Sequence, residues 1–265
     1  MDEHLLRTAV IALVFAFGVP ISSARAEIKT QTIDYKQGDA TLEGYLAYDD
    51  ANSAKRPGII VAHEWGGLTP YEKMRSEQLA KLGFVAFAAD IYGKGVRPTS
   101  VPDKMAQSGK YSNDRTLLRA RMTAALDLLR RDARVDTGKI AAIGFCFGGT
   151  AVLELARSGA EIAGVVTFHG GLSNPSPQDD RNIKGRVFVL HGADDPLVPK
   201  AAVDALEKQL TDAKVDWQVV LYSGTVHSFT NPASNDPAHG VLYNERSDGR
   251  SWIAMQDFLR EVFTK

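Results

Sequence analysis

Apolar residues in this chain fall into short unbroken runs separated by longer stretches with helical spacing. GIIVA (58–62), FVAFAADIYG (84–93), IAAIGF (140–145), IAGVVTFHG (162–170), RVFVLHG (186–192) and WQVVLY (217–222) are rich in Val, Ile, Ala and Phe. Such runs predict strands covered on both faces. Between them, residues 71–82 carry apolar positions three and four apart and stop at Gly83. Residues 116–131, 149–159, 201–213 and 251–263 have the same period, the second of these closed by Gly159. Upstream, residues 28–50 alternate apolar and polar around Gly38-Asp39, which predicts a hairpin. Residues 93–114 are polar, rich in Gly, Pro and Ser, and lack a period. They predict a long loop, placed as a lid over a site.

Strand and helix alternate after the hairpin, so the expected fold is α/β: a doubly wound, mostly parallel sheet with an N-terminal antiparallel hairpin and no large cap domain. No internal repeat or second boundary is visible, and residues 27–265 are expected to form one domain.

The first residues do not fit this pattern. Thr8 to Val19 is apolar but shorter than the ~20 residues of a spanning helix. Arg7 precedes it, and Ala24 and Ala26 occupy the A-x-A positions of a cleavage site. The pattern predicts a secretory signal peptide over residues 1–26, cut after Ala26, although Asp2 and Glu3 offset the charge of Arg7. The expected location is the periplasm or the cell exterior, with no stable membrane insertion after cleavage.

Charge and cysteine usage narrow the chemistry. The formal net charge is −1, so no basic field attracts nucleic acid or anionic lipid. The sequence calls for no cofactor and no metal; the expected partner is a small molecule, and the expected state a monomer or small homo-oligomer. Cys146 is the only cysteine and cannot form an internal disulfide. It is either a buried, inert hydrophobe or a thiol in use.

Its setting favours use. Strand 140–145 runs into Gly144-Phe145-Cys146-Phe147-Gly148 and at once into a helix, the pattern of a nucleophile elbow with Cys in place of Ser. The turn tolerates little side chain at its flanks, and the positive N-terminus of the helix favours a thiolate. Strand 186–192 ends in Asp194-Asp195, and strand 217–222 leads to His227. Nucleophile, acid, histidine is the chain order of α/β-hydrolases. His239 competes with His227 but lies in a Pro/Asn/Ala loop with no strand to fix it. His63, His169 and His191 end strands, precede the acid, and are expected to line the cleft. Physics alone does not separate Asp194 from Asp195.

GFCFGG, ADIYGKG, GADDPLVP and VHSF, in this order, resemble the dienelactone hydrolase family over essentially the whole chain after residue 26. The resemblance implies an α/β-hydrolase fold, Asp195 as the acid and His227 as the base. It also implies that the backbone N–H groups of Trp65 and Phe147 form the oxyanion hole, and that Glu64 sits beside the thiol and accepts its proton until substrate displaces the contact. Two arginines that hold a substrate carboxylate in the family are missing. Lys94 stands at one position, and at the other the chain reads Ser228-Phe229-Thr230-Asn231. Tyr92, Trp65, Phe147 and residues 93–114 are placed to shape the pocket. The expected activity is hydrolysis of activated esters or lactones, such as enol and aryl esters, with thioesters also open. A non-catalytic binding protein of the same fold and a redox thiol protein, which would need a partner's thiol, are the other readings.

Overall fold

A computed structural model describes residues 27–51 and 53–264. The proposed signal segment, 1–26, lies outside these residues.

Eight strands form one sheet: β1 (Ile28–Gln37), β2 (Ala40–Asp49), β3 (Arg56–Ala62), β4 (Val85–Ala89), β5 (Val135–Phe145), β6 (Gly164–Phe168), β7 (Arg186–Gly192) and β8 (Trp217–Tyr222). Their order is β1-β2-β4-β3-β5-β6-β7-β8. β1 and β2 make the hairpin, β2 meets β4 antiparallel, and the remaining pairs are parallel. The parallel strands read as continuous apolar runs because helices cover both of their faces.

Among the described residues six helices connect and flank the strands: α1 (Pro70–Lys81), α2 (Val101–Asn113), α3 (Arg115–Arg131), α4 (Phe147–Arg157), α5 (Lys200–Asp212) and α6 (Glu245–Phe263). Leu118, Leu126, Val152 and Leu206, from α3, α4 and α5, pack with Leu42, Ile60 and Val189 on one face of the sheet. On the other face Leu79 of α1 and Met255 and Leu259 of α6 pack with Ile59, Ile143 and Leu190. At roughly 1.5–3 kcal/mol per fully buried large apolar side chain, these two layers supply the main force holding the strand ends in place.

The stretch 93–114 departs from the predicted loop. Its second half is α2, begun by Ser100, whose hydroxyl accepts the Asp103 N–H. Gly, Ser and Lys hid the helix from periodicity, since Tyr111 is its one buried residue. The region after His227 also holds more structure than expected. β9 (Asn235–Asp236) and β10 (Val241–Leu242) pair antiparallel around a short 3-10 turn, Pro237–His239.

Candidate active site

The elbow after β5 is as tight as its glycines suggest. A Cβ on Gly144 would lie 2.0 Å from the Gly148 carbonyl oxygen, and one on Gly148 would lie 2.2 Å from that of Ala62. Cys146 between them sits at φ 52°, ψ −117°. A non-glycine residue in the left-handed region is strained, and such strain concentrates at functional sites. Phe147 is the first residue of α4, so its N–H has no acceptor within the helix.

Three distant segments meet at this elbow. The Cys146 Sγ is 3.2 Å from His227 Nε2, and His227 Nδ1 is 2.8 Å from Asp195 Oδ2. The other Asp195 oxygen accepts the N–H groups of Leu197 (2.8 Å) and Val198 (3.0 Å). Asp194 makes no such contact with His227, and of the two neighbours Asp195 is the buried one. Burial opposes charge on Asp195, but the bond to His227, the charge of that ring and the Val198 N–H outweigh it and hold the carboxyl below its usual range. Burial likewise opposes charge on His227. The negative charge of Cys146 and the Asp195 bond outweigh that and raise the imidazole to about 10.

The ribbon missed by sequence reading steadies this geometry. His227 N–H donates to the Gly240 carbonyl at 3.0 Å, and the His227 carbonyl accepts from Leu242 N–H at 3.1 Å. Gly240 in turn lies against Pro196, beside the acid. His239, on the same ribbon, is exposed and bonded to Asp236, away from the thiol.

The turn after β3 is held just as firmly. Glu72, buried on α1, accepts the Glu64 N–H at 3.0 Å and the Thr69 N–H at 2.8 Å. His63 is also buried. Its Nε2 accepts the Ile91 N–H at 3.2 Å, which leaves Nδ1–H to donate to the Glu64 carbonyl at 2.6 Å. Trp65 follows, its carbonyl accepting from the Tyr92 hydroxyl at 3.1 Å. Tyr92 stacks on Tyr111 of α2, and Lys104 of α2 stands over the Trp65 ring. The 93–114 segment therefore walls the site with a helix docked through aromatic contacts. Neither Glu72 nor the 235–242 ribbon was marked by the sequence; the capping box Thr69-x-x-Glu72 was the one available signal for Glu72.

Three expectations need correction. The thiol faces His227, while Glu64 faces Asn231, whose amide donates to Oε2 at 2.7 Å. No hydrogen bond joins Glu64 to Cys146 among the described residues: Glu64 Oε2 is taken by the Asn231 amide and the sulfur by His227. Lys94 points out to solvent and pairs with Asp34 on the hairpin. It sits in a Gly93-Lys94-Gly95 turn tied to β2 through Lys94 N–H and Thr41 O (2.9 Å), so it does not reach the substrate side. His63, His169 and His191 are buried in the scaffold and do not line the cleft. Tyr92 is buried, and its hydroxyl donates to the Trp65 carbonyl in the wall of the site.

The cysteine, histidine and aspartate thus form a hydrogen-bonded relay at one edge of a doubly wound sheet. The model of the dienelactone hydrolase family matches residues 42–263. The chain belongs to the dienelactone hydrolase family. Family membership makes it a hydrolase of the ester- and lactone-cleaving kind. Among solved structures it is similar to m3DLH, with 42% identity, 89% of this chain and 98% of that one covered, and a TM-score of 0.86. It is also similar to the dienelactone hydrolase-like promiscuous phosphotriesterase P91 from metagenomic libraries, with 40% identity, the same coverages and a TM-score of 0.84. A curated relative, protein usf of Aquifex pyrophilus, is 27% identical over 88% of this chain and 99% of its own length.

Proposed function

We propose that this dienelactone hydrolase family member cleaves activated, uncharged carboxylic esters and lactones through a thioacyl intermediate on Cys146. The observation that carries this reading is the unbroken relay from Sγ through the His227 ring to Asp195, at 3.2 and 2.8 Å.

In the proposed reaction the Cys146 sulfur attacks the carbonyl carbon and a C–S bond forms. The N–H groups of Trp65 and Phe147 take the oxyanion, as transition-state stabilisation requires. His227, as imidazolium, gives its proton to the departing oxygen when the C–O bond breaks. In its neutral form it then takes a proton from water, which attacks the thioester and releases Cys146. Asp195 holds the ring with Nδ1 protonated and stabilises its charged form.

Thiolate chemistry selects the leaving group. From the tetrahedral intermediate a thiolate departs more readily than an ordinary alkoxide, so simple alkyl esters revert. Enol esters, enol lactones, aryl esters and thioesters have leaving groups stable enough to go forward. The charge of the substrate follows from Glu64 and Asn231. They bring a carboxyl and an amide to the side where the family resemblance places an arginine, and Lys94 is turned to Asp34.

A second reading comes from one neighbour. P91 is described as a promiscuous phosphotriesterase, and an uncharged phosphotriester with an aryloxide leaving group meets the same requirements. The N-terminal pattern of residues 1–26 supports work outside the cytoplasm, which N-terminal sequencing of the protein from a fractionated host would test.

The direct test is turnover of p-nitrophenyl acetate with mass analysis of the quenched enzyme. An acetyl group on Cys146, and loss of turnover by about 10³-fold or more in Cys146→Ala, are expected. Undiminished turnover in Cys146→Ala would refute the reading. Diethyl p-nitrophenyl phosphate in the same assay tests the second one.

A further inference from the structure

Resting on the nucleophile reading above, we infer that His169 is a positioning residue: its neutral ring bonds the cysteine segment to the histidine segment and so sets the distance between Cys146 and His227. His169 directly follows β6 and has φ 41°, a left-handed conformation rare for any residue but glycine, Asn or Asp. Its own N–H is fixed to the Leu190 carbonyl at 2.9 Å.

Both ring nitrogens are engaged. Nδ1 lies 3.2 Å from the backbone nitrogen of Cys146, whose N–H also reaches the Phe168 carbonyl at 3.1 Å. An N–H facing Nδ1 requires a lone pair there, so the ring proton resides on Nε2. Nε2–H then donates to the Thr230 hydroxyl at 2.7 Å. Thr230 is three residues past His227. It is anchored beyond the ring by Tyr71, whose hydroxyl is 2.7 Å from its Oγ1, and by Arg75, which donates to its carbonyl at 2.6 Å. One imidazole thus spans the two segments that carry the reacting pair.

The arrangement works only with a neutral ring. A second proton on Nδ1 would oppose the Cys146 N–H. The ring is fully buried and packs edge-on against His227, their centroids 5.2 Å apart. Burial first, then the charges of His227, His191 and Arg75, drive its proton affinity far below that of a free imidazole. The site can therefore hold charge on His227 beside a histidine that stays uncharged.

The test uses stopped-flow acylation by p-nitrophenyl acetate with His169→Phe, His169→Asn and Thr230→Val, each with a melting curve. Phenylalanine keeps ring volume and loses both bonds. Asparagine accepts left-handed φ and places Oδ1 near the former Nδ1, so it keeps the bond to Cys146. The expected result is acylation slowed about 100-fold in His169→Phe with KM within about threefold, and recovery to within about tenfold of the parent in His169→Asn. His169→Phe at parental speed, or His169→Asn as slow as His169→Phe, would overturn the assignment. If His169→Phe does not fold, Thr230→Val decides: about tenfold slower acylation supports the bridge, and an unchanged rate overturns it. Cys146→Ala runs alongside, since a burst surviving in that variant would instead sink the nucleophile on which the bridge depends.

Discussion

Glu64 and Asn231, 167 residues apart, meet side chain to side chain at 2.7 Å, and that bond fixes a carboxyl group in the wall of the site with its other oxygen buried and unpaired. Burial is the main reason that Glu64 is raised to about 7. The charge of Glu72 on α1 adds to this, while the Asn231 bond and the charges of His227 and Arg75 oppose it. Between its ordinary value and 7, the folded protein keeps a proton that the unfolded chain has lost. Stability therefore falls as pH rises through that window. Glu64→Gln retains the shape and the amide partner without an ionisable group. At pH 8 it should be more stable than the parent by about 1–3 kcal/mol, with the difference shrinking toward pH 5. Chemical denaturation at the two pH values measures it, and equal differences at both would show that Glu64 does not hold its proton.

Lys94 and Asn231 give opposite expectations for substrate charge. Lys94→Ala removes its exposed pair with Asp34 and a longer one with Glu43, both on the hairpin, so kcat/KM for p-nitrophenyl acetate should stay within about twofold. Asn231→Arg puts a guanidinium beside Glu64. It should raise kcat/KM for an ester bearing a carboxylate on the acyl chain, such as p-nitrophenyl hemisuccinate, about tenfold relative to the acetate. A ratio unmoved by Asn231→Arg would place the recognition of charge elsewhere in the cleft.

The alkaline limit of activity should follow His227. Its raised value, about 10, means that the imidazolium needed to protonate the leaving oxygen persists through neutral pH and is lost as pH climbs past that point. The stabilising pairing with Cys146 and Asp195 has the same sign. It is complete below the unfolded value of a histidine and disappears as pH passes about 10. Acylation rate against pH should fall on its alkaline side near pH 10 in the parent. In Asp195→Asn, with the carboxylate charge gone, that limb should move to lower pH while the rate drops about 10³–10⁴-fold. A limb unmoved by Asp195→Asn would separate the carboxylate from the titration.

Legibility in the sequence tracked how local the cause was. Gly144 and Gly148 announced the elbow because a two-residue spacing around Cys146 encodes the steric limit directly. The buried strands announced themselves through unbroken Val, Ile and Ala runs. Other features depend on contacts between distant segments. α2 reads as a loop because only Tyr111 is buried along it, and its docking rests on the Tyr92–Tyr111 stack. The direction of Lys94 depends on Asp34, 60 residues earlier. The orientation of Glu64 depends on Asn231. His169 sits at the carboxyl end of a strand, as His63 and His191 do, and nothing local distinguishes its bond to Cys146. The 235–242 ribbon has two-residue strands, too short for any alternation to show.

That ribbon carries a final prediction. Gly240 has φ 69°, and a Cβ there would lie 2.1 Å from Pro196 Cγ and 2.7 Å from its Cδ. Pro196 follows Asp195, and the Gly240 carbonyl receives the His227 N–H at 3.0 Å. Gly240→Ala therefore cannot relax without moving either the acid loop or the histidine loop. Gly38→Ala is the matched control. It has φ 55° in the hairpin turn, and nothing lies within 4 Å of an added Cβ. Both variants bear the left-handed strain of about 1–2 kcal/mol. Only Gly240→Ala should also lose kcat, by about tenfold or more, because a shift of a few tenths of an ångström passes straight to the His227–Asp195 bond. Steady-state kinetics and melting curves on the two variants separate strain from misplacement. Equal loss of kcat in both, or none in Gly240→Ala, would show that the ribbon does not set the position of the histidine.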